Sequence, residues 1–191
     1  VIKYEILSKK TGSMHLIRCT NKLFTEMGFK KRDLLQNDNV SRTGLGDWYA
    51  NLFRLSHYKC IIFTNEMTLF SFVYFSVKKK EILNLSDLFR DQLFLALQQE
   101  DIPVQVIDSV LQSYTEIEYA PTSNRRVLGS MNDLVYCYGR YLEDVGEITA
   151  ETLLQLNSRI NRIPMKAIGF EHAVDKLHTV LMFRNRALKK Q

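Results

Sequence analysis

Gly46-Asp47-Trp48-Tyr49-Ala50-Asn51-Leu52-Phe53-Arg54-Leu55, Ser56-His57, Tyr58-Lys59-Cys60-Ile61-Ile62-Phe63-Thr64, Asn65-Glu66 and the run Thr68–Val77 form the stretch that decides the fold. β-Branched and aromatic residues fill three runs, and two short polar breaks separate them, which is the pattern of an antiparallel meander. Along the first run Trp48, Ala50, Leu52 and Arg54 share one face while Tyr49, Asn51, Phe53 and Leu55 share the other. Both faces are partly apolar, so this strand is expected to lie inside the sheet rather than at its margin.

Upstream, His15-Leu16-Ile17-Arg18-Cys19-Thr20 reads as a first strand, and Thr20 or Asn21 starts a short helix that runs to Met27 and ends at Gly28. Residues Lys30–Leu45 are polar and aperiodic and read as an exposed loop. Gly12-Ser13-Met14 resembles a cloning junction followed by an initiator methionine, so residues 1–13 are read as an extension and residues 14–191 as one domain.

Downstream, the period changes from two to 3.6. Ser86 is the expected cap of a helix over Asp87–Gln99, and Asp101 with Pro103 starts another that reaches about Ser113. Glu116-Ile117-Glu118-Tyr119 alternates like an edge strand that Pro121 closes. Val127, Leu128, Met131, Leu134, Val135, Tyr138 and Leu142 form the clearest helical stripe, ending near Gly146. Thr149 caps a helix that Pro164 stops, and a last helix covers roughly Glu171–Leu188. Strands first and helices afterwards predict an α+β fold, with an antiparallel sheet formed mainly by the N-terminal half and a C-terminal set of helices against one face.

The bulk numbers narrow the classes. The chain has 191 residues, 46% hydrophobic and 25% charged, enough to bury a core without staples. Its longest apolar runs fall far short of the ~18 residues that span a bilayer, so no membrane partner is expected. Cys19, Cys60 and Cys137 are few, odd in number and set among apolar neighbours, which suits reduced thiols and a cytoplasmic location. The formal charge is +5, and it falls to +3 without residues 1–13, which carry three lysines and Glu5. That excess is modest for a nucleic-acid-binding surface.

Motifs of familiar chemistry are missing. No phosphate loop, complete dinucleotide fingerprint, Cys-x-x-Cys or His-Glu-x-x-His occurs, and His172 and His178, six apart, point to different sides of a helix. Gly129-Ser130 lies within a helical period rather than at a nucleophile elbow. Neither a metal nor a cofactor is expected.

Three polar clusters are the site candidates. In the first, Arg125, Ser130, Asn132 and Asp133 accompany Gly129, whose place in mid-helix costs about 1 kcal/mol relative to alanine. Either a ligand approaches the backbone there, or Gly129 admits a crossing element and Asp133 pairs with Arg126 or Arg140; the packing account is preferred. In the second, Trp48, Asn51, Arg54, Thr64 and Asn65 line one end of the sheet, as a polar rim beside an aromatic surface or, the preferred account, as core, turn and cross-strand residues. In the third, Asn161 and Arg162 end a helix, where the dipole alone favours arginine. Lys78-Lys79-Lys80 reads as a solvated strand end.

Ile17-Arg18-Cys19-Thr20, Gly46-Asp47-Trp48-Tyr49-Ala50-Asn51-Leu52-Phe53, Phe63-Thr64-Asn65 with Thr68-Leu69-Phe70-Ser71, Val127-Leu128-Gly129-Ser130-Met131-Asn132-Asp133 and Asn161-Arg162-Ile163-Pro164-Met165 together resemble an uncharacterised bacterial family, a domain of unknown function. The resemblance covers about Met14–Phe170. Where that family usually has Thr-Asn-Asp-Arg-Ser, this chain has Thr122-Ser123-Asn124-Arg125-Arg126. The resemblance implies relatives but no reaction.

The expected function is a bacterial cytosolic binding or regulatory domain for an unknown ligand or protein partner. Its site would require Asn51, Asn65, Arg125, Asn132 and Asn161 to share a cleft. The alternative is a nucleic-acid-acting protein, such as a small metal-independent toxin-like ribonuclease using Arg125, Arg126 and Arg162. Association with copies of itself is left open.

Overall fold

The computed structural model describes residues 15–29, 45–143 and 148–188, with side chains to 183. The readings of residues 1–13 as an extension, of Met14 as the start and of 30–44 as a loop lie outside the described residues. Leu45, at the end of that loop, is fully buried.

Strands β1 (His15–Cys19), β2 (Trp48–Leu55), β3 (Tyr58–Asn65), β4 (Ser71–Tyr74) and β5 (Ile117–Pro121) form one sheet in the order β4-β3-β2-β1-β5. The expected meander is there: β2–β3–β4 are antiparallel, with Ala50 opposite Phe63 and Phe63 opposite Phe72. β2 is the middle strand. The sheet is mixed, however, because β1 runs parallel to both neighbours, Arg18 lying opposite Tyr49 and Ala120. Helix α1 (Asn21–Met27) lies in the crossover from β1 to β2, the kind of connection that parallel pairing requires. Gly28 ends α1 in the left-handed region at φ 85°.

Helices cover both faces, not one. Ile17, Cys19, Trp48, Ala50, Leu52 and Phe63 face α1, α3 (Leu85–Gln99), α4 (Val104–Ser113) and α7 (Ala173–Leu188). Tyr49, Phe53, Cys60, Ile62 and Val73 face α5 (Arg125–Glu143) and α6 (Ala150–Ile160). Alternation along β2 sends successive residues into separate cores, so its two apolar faces have one cover each. Trp48 anchors the first core, its ring 5.3 Å from Phe89 and 5.4 Å from Phe72. Its Nε1 donates to Tyr114 Oη at 3.0 Å, and that hydroxyl donates to Gly46 O at 2.8 Å.

Two elements depart from the sequence reading. Lys79–Leu83 form a short helix, α2, in place of a strand end, with Glu81 accepting from the Lys78 amide at 2.6 Å. Helix α3 starts at Leu85 after Asn84, without a Ser86 cap.

The free edge of β4 is sealed by side chains. Asn161 Oδ1 accepts from the Ser71 amide at 2.8 Å and its Nδ2 donates to Ser71 O at 2.7 Å. One turn earlier on α6, Asn157 Oδ1 accepts from the Val73 amide at 3.1 Å and from Tyr138 Oη at 2.6 Å. Two amides thus take the place of a sixth strand, which satisfies main-chain groups that burial would leave costly.

Candidate groove between α5 and residues 163–167

Helix α5 is started by Asn124, whose Oδ1 accepts from the amides of Arg126 at 3.0 Å and Val127 at 3.4 Å. Asparagine is among the residues preferred for this capping role. Val127, Met131, Leu134 and Tyr138 then bury one stripe against the sheet. Gly129 falls on the opposite side, exposed, and an added Cβ there would meet nothing within 4 Å.

The facing wall is the connection from α6 to α7. Pro164 keeps α6 from continuing, and the chain closes a small loop in which the Met165 amide donates to Glu171 O at 3.1 Å and the Phe170 amide to Met165 O at 2.9 Å. One 3-10 turn, Lys166–Ile168, fills it, and Gly169 and Phe170 take left-handed φ values of 78° and 63° to turn back. Arg126 fixes this wall. Its Nη1 donates to Ala167 O at 3.1 Å and its Nη2 to Glu66 O at 3.4 Å, joining the loop to the turn after β3.

Between the two walls lies a groove of about 540 Å³. Leu134, Cys137, Ile163, Pro164, Met165 and Ala167 give it apolar sides, while Arg125, Arg126, Asp133 and Lys166 supply its charges. The side chains of Arg125, Lys166 and Asp133 form no ion pair or hydrogen bond among the described residues. Ser130 lines the groove at only 6% exposure, and its hydroxyl has no hydrogen-bond partner there either. Burial and then the neighbouring Asp133 carboxylate push the Cys137 thiol up, so it is not an activated nucleophile.

The sequence candidates divide. Arg125, Ser130 and Asp133 come together in this groove with Gly129, and Asn132 is exposed on the same helix. Asn161 and Arg162 end α6 just before the groove wall but are used elsewhere. Asn161 holds β4, while Arg162 pairs with the buried Glu100 carboxylate through Nη2–Oε2 at 2.7 Å and Nη1–Oε1 at 3.1 Å.

The sheet-end candidates are structural. Trp48 is core, and Asn51 accepts from Thr20 Oγ1 at 3.0 Å. Arg54 donates to His57 O at 3.3 Å in the hairpin, and Thr64 accepts from Ser71 Oγ at 2.9 Å. Asn65 builds its turn, donating to Leu45 O at 2.7 Å and accepting from the amides of Met67 and Thr68. Asn51, Asn65, Arg125, Asn132 and Asn161 therefore share no cleft.

The packing account of Gly129 also fails, since no element crosses there, and Asp133 does not pair with Arg126 or Arg140, whose partners are Ala167, Glu66 and Glu143. Sequence reading passed over Lys166 and Cys137 as groove residues. Their only signal was position, one helical turn past Asp133 and one residue past the Asn-Arg-Ile-Pro-Met motif.

A buried pair also escaped notice. Arg18 Nε donates to Asp47 Oδ2 at 3.1 Å with both side chains nearly inaccessible, and Asp47 Oδ1 accepts from the Leu16 amide at 3.3 Å. These bonds fix the start of β2 beside β1. Among the described residues no cluster of three His, Cys, Asp or Glu side chains could hold a metal ion, and no helix is long and apolar enough to cross a membrane.

The model of a family described as a domain of unknown function (DUF6933) matches residues 16–176, a span that includes every residue lining the groove. No curated protein and no solved structure matches the chain.

Proposed function

Because the chain belongs to the DUF6933 family, whose description assigns no activity, we propose a function from its own geometry: it is a binding domain that takes a small molecule into the groove between α5 and residues 163–167. One observation carries this reading. Gly129 weakens α5 by about 1 kcal/mol, yet no neighbour occupies the space its missing side chain leaves. Internal packing gives no reason for a glycine there, and close approach of a ligand to the helix does.

Ser130 supports the same conclusion, because it lines the groove and its hydroxyl makes no hydrogen bond among the described residues, which leaves it available to a ligand. A groove of about 540 Å³ lies within the usual range of small-molecule sites. The ribonuclease alternative has less support: of its three arginines, Arg126 and Arg162 are bound internally, and the lining of the groove contains one carboxylate, Asp133, and no histidine to form an acid and base pair.

The neutral apolar dye Nile red tests the reading. The folded chain is expected to bind it saturably, and Gly129→Phe, whose ring would fill open space, to abolish binding without lowering the melting temperature by more than a few degrees. Dye binding that survives Gly129→Phe would place the ligand elsewhere.

A further inference from the structure

The geometry points to the class of ligand: an anionic amphiphile, a small molecule with one negatively charged group on an apolar body. Its charge rests between Arg125 and Lys166 and its body lies along Leu134, Ile163 and Met165. The inference rests on the groove being the binding site. Arg125 and Lys166 are exposed cations with no ion pair among the described residues, and Arg125 also stands in the first turn of α5, where the helix dipole adds positive potential. Asp133, likewise without an ion pair among the described residues, stands eight residues further along α5, about 12 Å at the helical rise. An anion is drawn to one end of the groove and repelled from the other, so the ligand has a single orientation.

The facing wall argues against an extended peptide. A peptide that adds along a wall needs free main-chain donors and acceptors. Here the carbonyls of Met165, Lys166 and Ala167 all accept bonds from within the protein, so this part of the wall has no free acceptor to offer a strand. Apolar side chains and a few discrete polar groups are what the groove offers. The Ser130 hydroxyl, which makes no hydrogen bond among the described residues, lines the same groove and can bond a ligand atom. Nucleic acid is disfavoured too, since backbone recognition uses several phosphate contacts at once and, of the three cations lining this groove, Arg126 is held by main-chain carbonyls, which leaves two.

The experiment is displacement of Nile red from the full chain by octanoate, octanol and inorganic phosphate. Octanoate is expected to displace the dye at a concentration at least about tenfold below octanol, a charge-assisted hydrogen bond being stronger than a neutral one. Phosphate alone should fail at comparable concentration. The double variant Arg125→Gln, Lys166→Gln changes only exposed side chains, should melt within a few degrees of the parent, and should erase the advantage of octanoate while leaving octanol unchanged. Equal potency of octanol and octanoate on the parent chain, or displacement by phosphate as good as by octanoate, overturns the assigned class while leaving the groove as a binding site. Absence of saturable dye binding, or binding insensitive to Gly129→Phe, overturns both readings.

Discussion

Replacing Gly129 by alanine adds one methyl group to the exposed side of α5, at a point where the nearest possible neighbour is more than 4 Å away. No steric term opposes the change, and the backbone of Gly129 is helical, so alanine adopts it without strain. Glycine in a helix interior is less favourable than alanine by about 0.8–1 kcal/mol, partly because it retains more freedom in the unfolded chain. The variant is therefore expected to be more stable by about 0.5–1 kcal/mol. For a domain of this size that corresponds to a rise of roughly 1–4 °C in melting temperature. Urea unfolding should show a higher midpoint with an unchanged slope. The same methyl group intrudes on the groove, so Nile red affinity should fall as stability rises. A less stable variant would mean that the protein itself occupies the space beside Gly129, and the argument from an unexplained glycine would collapse.

Asn157→Ala removes the acceptor shared by the Val73 amide and Tyr138 Oη, leaving two buried donors unsatisfied, and should cost about 2–4 kcal/mol in urea unfolding. Tyr138→Phe removes one of these bonds and should cost about 1 kcal/mol; equal effects from the two variants would contradict the edge-sealing role of Asn157. With Cys19 and Cys60 fully buried, a maleimide should modify Cys137 first in the folded chain, and Asp133→Asn should speed that modification near pH 8 by relieving the charge that holds the thiol up. Mass spectrometry that locates the label elsewhere would refute this. The Glu26 carboxyl is held below its ordinary value of 4.5 chiefly by its hydrogen bond with the Lys59 ammonium at 2.8 Å. A depressed carboxyl lends stability that is complete above its unfolded value and is lost as pH falls through the folded one. Both side chains are about a third exposed, so the effect is at most about 1 kcal/mol. Glu26→Gln should flatten the decline in urea midpoint as pH is lowered from about 5, and an unchanged slope would deny the pair any role.

The hairpins β2–β3–β4 were legible because side-chain alternation and short polar breaks are local properties, written into consecutive residues. The parallel pairing of β1 and β5 was not, because a strand's own residues do not say which neighbour a crossover will bring beside it. The two apolar faces of β2 did signal burial on both sides. Reading strands first and helices afterwards nonetheless assigned the helices to one face, an error that the split of Trp48 and Tyr49 into separate cores corrects. Lys78-Lys79-Lys80 misled because a charge run looks the same at a strand end and at a helix start; Glu81, three residues after Lys78, was the informative residue. The polar candidates scattered for a related reason. An asparagine that builds a turn, one that holds a strand edge and one that meets a ligand carry the same amide, and only the fold distinguishes them. Gly129 was the exception, since its helical cost could be stated from sequence alone and needed only the surrounding space to be interpreted.

Because Asn157 and Asn161 stand in for strand partners, detachment of α6 would do more than loosen a helix. It would bare the Ser71 and Val73 main-chain groups in the same instant and create a margin able to recruit another polypeptide. Conditions that shift the α6 equilibrium should thus govern aggregation more strongly than global unfolding does, and crosslinking α6 to α5 is the direct way to suppress it.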